Sequence, residues 1–189
     1  MSFLLRMREA SFGRGTDAIG PVTLDVHPGE NAACVLGSSR AANVVALLAA
    51  GIVKATAGCV LIDQYDPRVQ SAHCKRVAAF VPHAALSVEE AEFERYIAYR
   101  AALWDIDPMR ARAHAKLLLE RLDGMHEAFA YPLVGALIAA PKLLVLDRPQ
   151  PAYASRIAAA AGGRAIFSTH CNAVAAETFR TSRRQEVLA

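Results

Sequence analysis

Lys142-Leu143-Leu144-Val145-Leu146-Asp147-Arg148-Pro149 is the stretch on which the fold turns. Leu143 to Leu146 is an unbroken apolar run closed by a carboxylate, the pattern of a strand covered on both faces. Downstream, Ala165-Ile166-Phe167-Ser168-Thr169-His170 reads as a second buried strand. Upstream, Ala32-Ala33-Cys34-Val35-Leu36 is a third run, also expected to be buried on both faces. It stops at Gly37-Ser38-Ser39-Arg40, and a helix-compatible segment, Ala41 to Ala50, follows and is capped by Gly51. Strand, small-residue turn and helix in that order open an α/β unit.

The remaining segments extend this pattern. Residues 3–10 read as a strand before the turn Gly13-Arg14-Gly15. Val22 to Val26 alternates apolar with polar, as a half-exposed strand does, and Pro28-Gly29-Glu30 ends it. Cys59 to Asp63 is a strand introduced by Gly58, and Arg76 to Val81 reads as another, stopped by Pro82. From Val88 to Leu122 the pattern is helical and charged, and Asp107-Pro108 opens the second of two helices. Leu117, Leu118 and Leu122 continue its apolar face. Leu133 to Ala140 and Ala158 to Ala161 read as helices, the latter closed by Gly162-Gly163, and Ala173 to Glu177 opens a last one. No repeat or low-complexity linker interrupts the order.

Composition bounds the function classes. The 189 residues are 54% hydrophobic and 21% charged, which argues for one folded domain and against disorder. Alanine fills 39 positions and aromatics only 7%, so a tight aliphatic core is expected. The apolar run from Ala41 to Val53 is too short to span a bilayer and ends at Lys54; the run to Leu146 is broken by Pro141 and Lys142. A net charge of +3 is too mild to indicate a nucleic-acid partner. Cys34, Cys59, Cys74 and Cys171 form no C-x-x-C pair, which points to reduced thiols rather than a zinc site or a disulfide frame. The N-terminal residues lack the pattern of a signal peptide, and a cytoplasmic location is expected.

Three further strings are specific: Leu24-Asp25-Val26-His27-Pro28-Gly29-Glu30, Ala50-Gly51-Ile52-Val53-Lys54-Ala55-Thr56-Ala57-Gly58, and Pro141 to Pro149. In this order and at about this separation they resemble the nucleotide-binding domain of ABC-type transport ATPases, over nearly the whole chain. The resemblance implies an α/β, P-loop NTPase-like mixed sheet flanked by helices, with an N-terminal antiparallel β portion. It implies a single domain over 1–189 with a short helical insertion at about 86–125.

The family's chemistry is replaced at each motif. A phosphate loop of the form G-x-x-x-x-G-K-[ST] wraps phosphates with backbone N–H groups, reaches them with lysine, and holds Mg²⁺ with a hydroxyl. Here the stretch is Gly37-Ser38-Ser39-Arg40-Ala41-Ala42-Asn43-Val44. Aligned at Gly37, Asn43 takes the lysine position; aligned without gaps from Glu30 to Gly51, Ala42 takes it. Neither register supplies lysine or hydroxyl. Arg40 carries charge on the wrong part of the loop. Asp147 matches the metal-holding aspartate, but Arg148 stands where the family has the glutamate that polarises water, and a guanidinium is no base near neutral pH. His170 matches the switch histidine that contacts the γ-phosphate, Phe12 the aromatic that stacks on adenine, and His83 follows the strand where the family has glutamine. The signature loop L-S-G-G has as its counterpart Leu122-Asp123-Gly124-Met125, with a carboxylate in the serine position. Between Asp147 and His170 the chain is shorter than the family pattern, and Gln150-Pro151-Ala152-Tyr153 replaces the loop that crosses to a partner subunit.

Resemblance and departures together imply a degenerate subunit, a pseudo-ATPase with no resident cofactor. It would act as a structural or regulatory partner of a membrane transporter or envelope complex, peripheral on the inner face of a membrane. Its partners would be a permease subunit and an intact ABC ATPase or a second copy, in a dimer, with the stretch from Phe93 to Trp104 as docking surface and His83 at the transporter contact. Two alternatives stand beside it. One is a divergent subunit that still binds and hydrolyses ATP with Mg²⁺ through Asp147 and His170; the other is a soluble assembly scaffold unrelated to transport. The arginines Arg180, Arg183 and Arg184 read as a solvated tail.

Overall fold

The computed structural model describes residues 2–83 and 90–181. Two sheets share one helix. β1 (Leu5–Phe12) pairs antiparallel with β2 (Ile19–Val26) on one side and β4 (Ala57–Ile62) on the other. The parallel sheet runs β3 (Asn31–Val35), β7 (Ala165–His170), β6 (Leu143–Asp147), β5 (Ala78–Val81). Between the sheets lies α1 (Ser39–Ala49), which buries Ala42, Val45, Ala46, Leu48 and Ala49. Its alanines keep the helix close to both sheets, since a methyl group is all that stands between backbone and backbone.

The other face of the parallel sheet carries α3 (Glu90–Leu103), α4 (Pro108–Arg121), α5 (Glu127–Leu137), α6 (Ala154–Ala161) and α7 (Ala173–Thr181). They bury a second cluster with Ile97, Leu118, Leu122, Leu133, Val134, Leu137, Ile157 and Phe179 at its centre. Asp107 caps α4 by accepting from the Arg110 N–H, with Pro108 at the first helical position, where its missing N–H costs nothing. Gly162 ends α6 at φ 58°. Gly58, at φ 70°, must be glycine: a Cβ there would lie inside the β1 backbone at Glu9.

The middle strands are as the sequence predicts: all residues of β6 and β7 are buried. Four expectations need correction. β3 is an edge strand, half-exposed along its length, because only β7 pairs with it. α7 lies against it, and Ala32 and Cys34 pack on the cluster around α1, while one edge is open. Arg76 and Val77 belong to α2 (Ser71–Val77), and the strand begins at Ala78; a short helix turns the chain into the sheet. Leu117 is exposed, because α4 sits against its neighbours through Ala111, Ala115 and Leu118, one residue out of phase with Leu117. α5 spans Glu127–Leu137 and α6 starts at Ala154, both earlier than expected, since buried alanines and Pro132 carry no helical signature of their own. Residues 86–89 of the expected insertion, and Arg183 and Arg184, lie outside the described residues. Among the described residues, no helix is long and apolar enough to cross a membrane.

Candidate functional site

In a parallel sheet all strands end on the same side, and ligands of open α/β sheets bind there. Val35 pairs with His170, Asp147 with Thr169, and Val81 with Leu146, so these strand ends, and the Pro82-His83 turn after β5, lie along one edge. The topology thus brings the Gly37–Asn43 segment, Asp147, Arg148, His83 and His170 to one end of the sheet.

The segment after β3 is too short to form a phosphate loop. Only Leu36, Gly37 and Ser38 separate β3 from α1, whereas the motif spaces its two glycines by four residues before the helix begins. α1 has consumed the loop. Ser38 caps it, its hydroxyl accepting from the Ala41 N–H at 3.1 Å, and the Ala42 N–H donates to the Ser38 carbonyl at 2.9 Å. One of the helix N-terminal donors that could face an anion, the Ala41 N–H, is therefore met within the chain. Arg40 is exposed on the first turn of α1, and its side chain has no hydrogen bond among the described residues.

Asn43 reaches across to the end of β6. Its side-chain amide donates to Asp147 Oδ2 at 2.9 Å. This contact fits the ungapped register, in which Asn43 stands where the family has the Mg²⁺-binding hydroxyl and Ala42 where it has lysine. Arg148 closes the other side: its Nε donates to Asp147 Oδ1 at 2.9 Å and its Nη2 to Oδ2 at 3.2 Å. The Thr169 hydroxyl donates to Oδ1 at 3.4 Å. The Asp147 side chain is 1% exposed, so it meets these groups rather than water. Burial pushes its carboxyl up, but the Arg148 and Asn43 hydrogen bonds and the Arg148 charge outweigh that and hold it below the ordinary carboxylate range. A guanidinium and an amide thus neutralise the carboxylate that a divalent cation would need. These residues do not fit Mg²⁺: the acidic group is taken, a fixed cation is its neighbour, and no group of three acidic, His or Cys side chains converges among the described residues.

Arg148 is itself held in an unusual backbone state, at φ 46°. Two bonds over-determine it: its N–H donates to the Thr169 carbonyl at 2.9 Å, and its carbonyl accepts from His83 Nδ1 at 3.0 Å. His83 therefore positions the backbone of Arg148.

His170 is 2% exposed and packs inward. Its ring lies 5.1 Å from that of Phe179 on α7, and its Nε2 donates to Ser168 Oγ at 2.9 Å. The Ser168 hydroxyl passes its own proton to the Ala32 carbonyl at 3.4 Å. Burial, reinforced by Arg180, pushes the imidazole down to about 4, so it is neutral at physiological pH. Ser39 Oγ and Cys171 Sγ approach to 4.0 Å across the same edge.

The other candidates lie apart. Phe12 is half-buried at the end of β1, packed on the apolar cluster around α1. No hydrogen bond or ring contact joins it to the Asp147 group among the described residues. Asp123 and Gly124 are exposed in the turn between α4 and α5, with the Arg156 guanidinium lying against Gly124 and Met125 tucked into the core. Thr169 and Ser168 were missed as polar partners because in sequence they read only as the end of a buried strand; the signal was available in the alternation that sets them on opposite faces.

No family model matches the chain. The sulfate/thiosulfate import ATP-binding protein CysA of Xanthomonas campestris pv. campestris is 30% identical over an alignment of 161 residues, covering 77% of this chain and 46% of that protein. The chain thus spans about half the length of the curated relative it matches. Among solved structures, cbiO1 from Clostridium perfringens, part of the ABC transporter complex cbiONQ, superposes with a TM-score of 0.71 at 16% identity, covering 91% of this chain and 80% of that one. A dimeric ATP-binding cassette in a post-hydrolysis state, bound to ADP and Pi, gives a TM-score of 0.67 at 15% identity, over 92% of this chain and 90% of that one. In sequence and in fold, the chain resembles the ATP-binding subunits of ABC transporters.

Proposed function

We propose that this chain is a pseudo-ATPase subunit: an ABC-type fold that pairs with an intact ATP-binding subunit, or with itself, beside a membrane permease, and does not turn over nucleotide. One observation carries the reading. Asp147 is satisfied by Asn43, Arg148 and Thr169 from within the chain, and the turn before α1 is too short to encircle a phosphate. Phosphoryl transfer depends almost entirely on positioned charge, and each lost group costs several powers of ten in rate. Lysine, hydroxyl and base are lost together.

A cavity of about 370 Å³ supports the docking half of the proposal. Phe80, Tyr96 and Trp104 give it an apolar wall, while Lys75, Arg76 and Arg100 rim it with positive charge, and among the described residues no carboxylate lines it. Trp104 and Tyr96 fall within the Phe93–Trp104 stretch expected to face the transporter. An amphipathic segment bearing acidic residues fits such a wall on the cytoplasmic side of the membrane. The relatives are transporter subunits, one of them in a dimer, which supports both partners.

The test is nucleotide titration of the purified chain with Mg²⁺ and ATP, together with phosphate-release kinetics. The expected result is no binding at micromolar nucleotide and no turnover above background. The triple change Ala42→Lys, Asn43→Ser and Arg148→Glu is expected to leave turnover absent, because the loop remains short. Magnesium-dependent ATP binding at micromolar concentration would overturn the reading in favour of a divergent ATPase. Failure to co-purify with a polytopic membrane protein would move it toward a scaffold unrelated to transport.

A further inference from the structure

α3 presents two sides to the surface. Tyr96, Arg100 and Trp104 line the cavity of about 370 Å³, whereas Phe93, Glu94 and Ile97 line a groove of about 460 Å³ between α3 and α4. From α4, Met109, Arg112, Lys116 and Leu119 form its opposite side. We infer that this groove is the contact face for a second copy of the chain, set against the first across a two-fold axis.

The groove comes from an antiparallel helix pair. Only residues 104–107 join α3 to α4, so the helices lie side by side and run in opposite directions. Ile97 and Ala115 are buried, and Phe93 and Leu119 are half-buried and packed on the helical cluster. Met109 stands 69% exposed, an unbranched thioether that adapts to whatever covers it. The charges divide by helix. Glu94 lies on the α3 side, and Arg112 and Lys116, one turn apart, lie on the α4 side. All three are exposed, and their side chains make no hydrogen bond or ion pair among the described residues. The ion pair on α3 joins Glu92 to Arg95 instead, at 3.6 Å.

A face with an apolar floor, a carboxylate on one side and two cations on the other is complementary to itself after half a turn. An isologous pair lays the α3 of each copy on the α4 of the other. Glu94 of each copy then meets Arg112 and Lys116 of the other, and the two apolar floors close on each other. An anionic membrane or an acidic amphiphile would satisfy Arg112 and Lys116 but set Glu94 against like charge; a second copy uses all three. Helices of 14 residues are about 21 Å long, so the pair offers about 400 Å² and a dimer buries about 800 Å² in all. That area supports a weak contact, with a dissociation constant on the order of 0.1 mM. None of the strand-end residues lines the groove, and the inference does not rest on whether the chain turns over nucleotide.

The experiment is sedimentation of the full chain between about 10 µM and about 1 mM, at about 0.05 M and about 0.5 M sodium chloride. The expected result is a monomer–dimer equilibrium that weakens about tenfold at the higher salt. Two variants carry the charge argument: Glu94→Lys, and Arg112→Glu with Lys116→Glu. Each alone sets like charges together in both halves of the contact and is expected to weaken the dimer about tenfold or more. Mixed in equal amounts, they restore opposite charges in both halves, and a mixed dimer is expected to regain the affinity of the unaltered chain. A chain that stays monomeric over the whole range would overturn the inference and leave the groove to another occupant, residues 84–89 of the same chain or an unrelated protein. A dimer that neither variant weakens would overturn it by placing the contact on another face, and a mixture that fails to pair would show that these charges do not meet across the axis. A dimer of the unaltered chain that salt leaves unchanged would overturn it as well, so the test stands even if a variant fails to fold.

Discussion

In β6 and β7 every residue is buried, whereas the residues just beyond the C-terminal ends of the same strands, Arg148 and Cys171, are half-buried and exposed. Asp147 and His170 are the last of the first region; Arg148, Cys171 and, across the sheet, the Gly37–Asn43 turn belong to the second. The two regions are neighbours along the chain and obey different constraints. A core strand is held by packing on two faces, so each large-to-small change leaves a void that the surroundings cannot fill. A strand-end turn is held by its ligand, and without a ligand it needs only to satisfy its own polar groups. Asn43 and Arg148 do that here, by occupying Asp147.

The comparison can be broken at either end, and the effects should fall in order. Phe167→Ala, in the middle of β7 and fully buried, is expected to destabilise the chain most, by about 3–5 kcal/mol in denaturant unfolding. Loss comparable to a surface substitution would mean that the framework is not what holds this region. Next comes the buried imidazole. His170 titrates near 4 in the folded chain against an ordinary 6.5, so the unfolded chain takes up the proton first. The stabilisation is complete above pH 6.5 and is lost as pH falls toward 4, amounting to about 3 kcal/mol. His170→Leu should flatten the stability–pH curve in that window relative to the unaltered chain, and an unchanged slope would show that the ring is not held neutral.

Asp147→Ala is the third change. It leaves the Arg148 guanidinium and the Asn43 amide without their shared acceptor and should cost about 2–3 kcal/mol, since a charged group loses its buried partner. If the chain instead gained stability, Asp147 would be a strained relic rather than a hub. The smallest expected effect is Ser38→Ala, about 1 kcal/mol, from the loss of the α1 cap. Thermal melts at a fixed pH measure both.

Much of the fold was legible before any coordinates. Leu143 to Asp147 and Ala165 to His170 are apolar over their full length, and only a central position in a sheet makes that affordable in water. Asp107-Pro108 marks the start of α4 because capping chemistry is local. The site was half legible. Each departure from the phosphate-loop, metal and base motifs could be read from residue type at Ala42, Asn43 and Arg148, but the two registers of the loop could not be told apart. What joins those positions is a set of contacts 104 residues apart for Asn43 and Asp147 and 22 for Thr169 and Asp147, which no local pattern records. The edge position of β3 was hidden for the same reason: its run of Ala, Cys and Val looks like that of a central strand, and only strand order says otherwise.

The sequence by itself determined the central strands β6 and β7, the start of α4 and the residue types at each strand end, because propensity, capping and residue type act within a few positions. Tertiary structure alone decided how the polar groups at the strand ends are met. It set Asn43, Arg148 and Thr169 around one buried carboxylate, turned His170 inward onto Phe179, and shortened the turn before α1 to three residues, Leu36 to Ser38. The physical reason is that a buried charge must be paired, and the partner is found by proximity in space rather than along the chain.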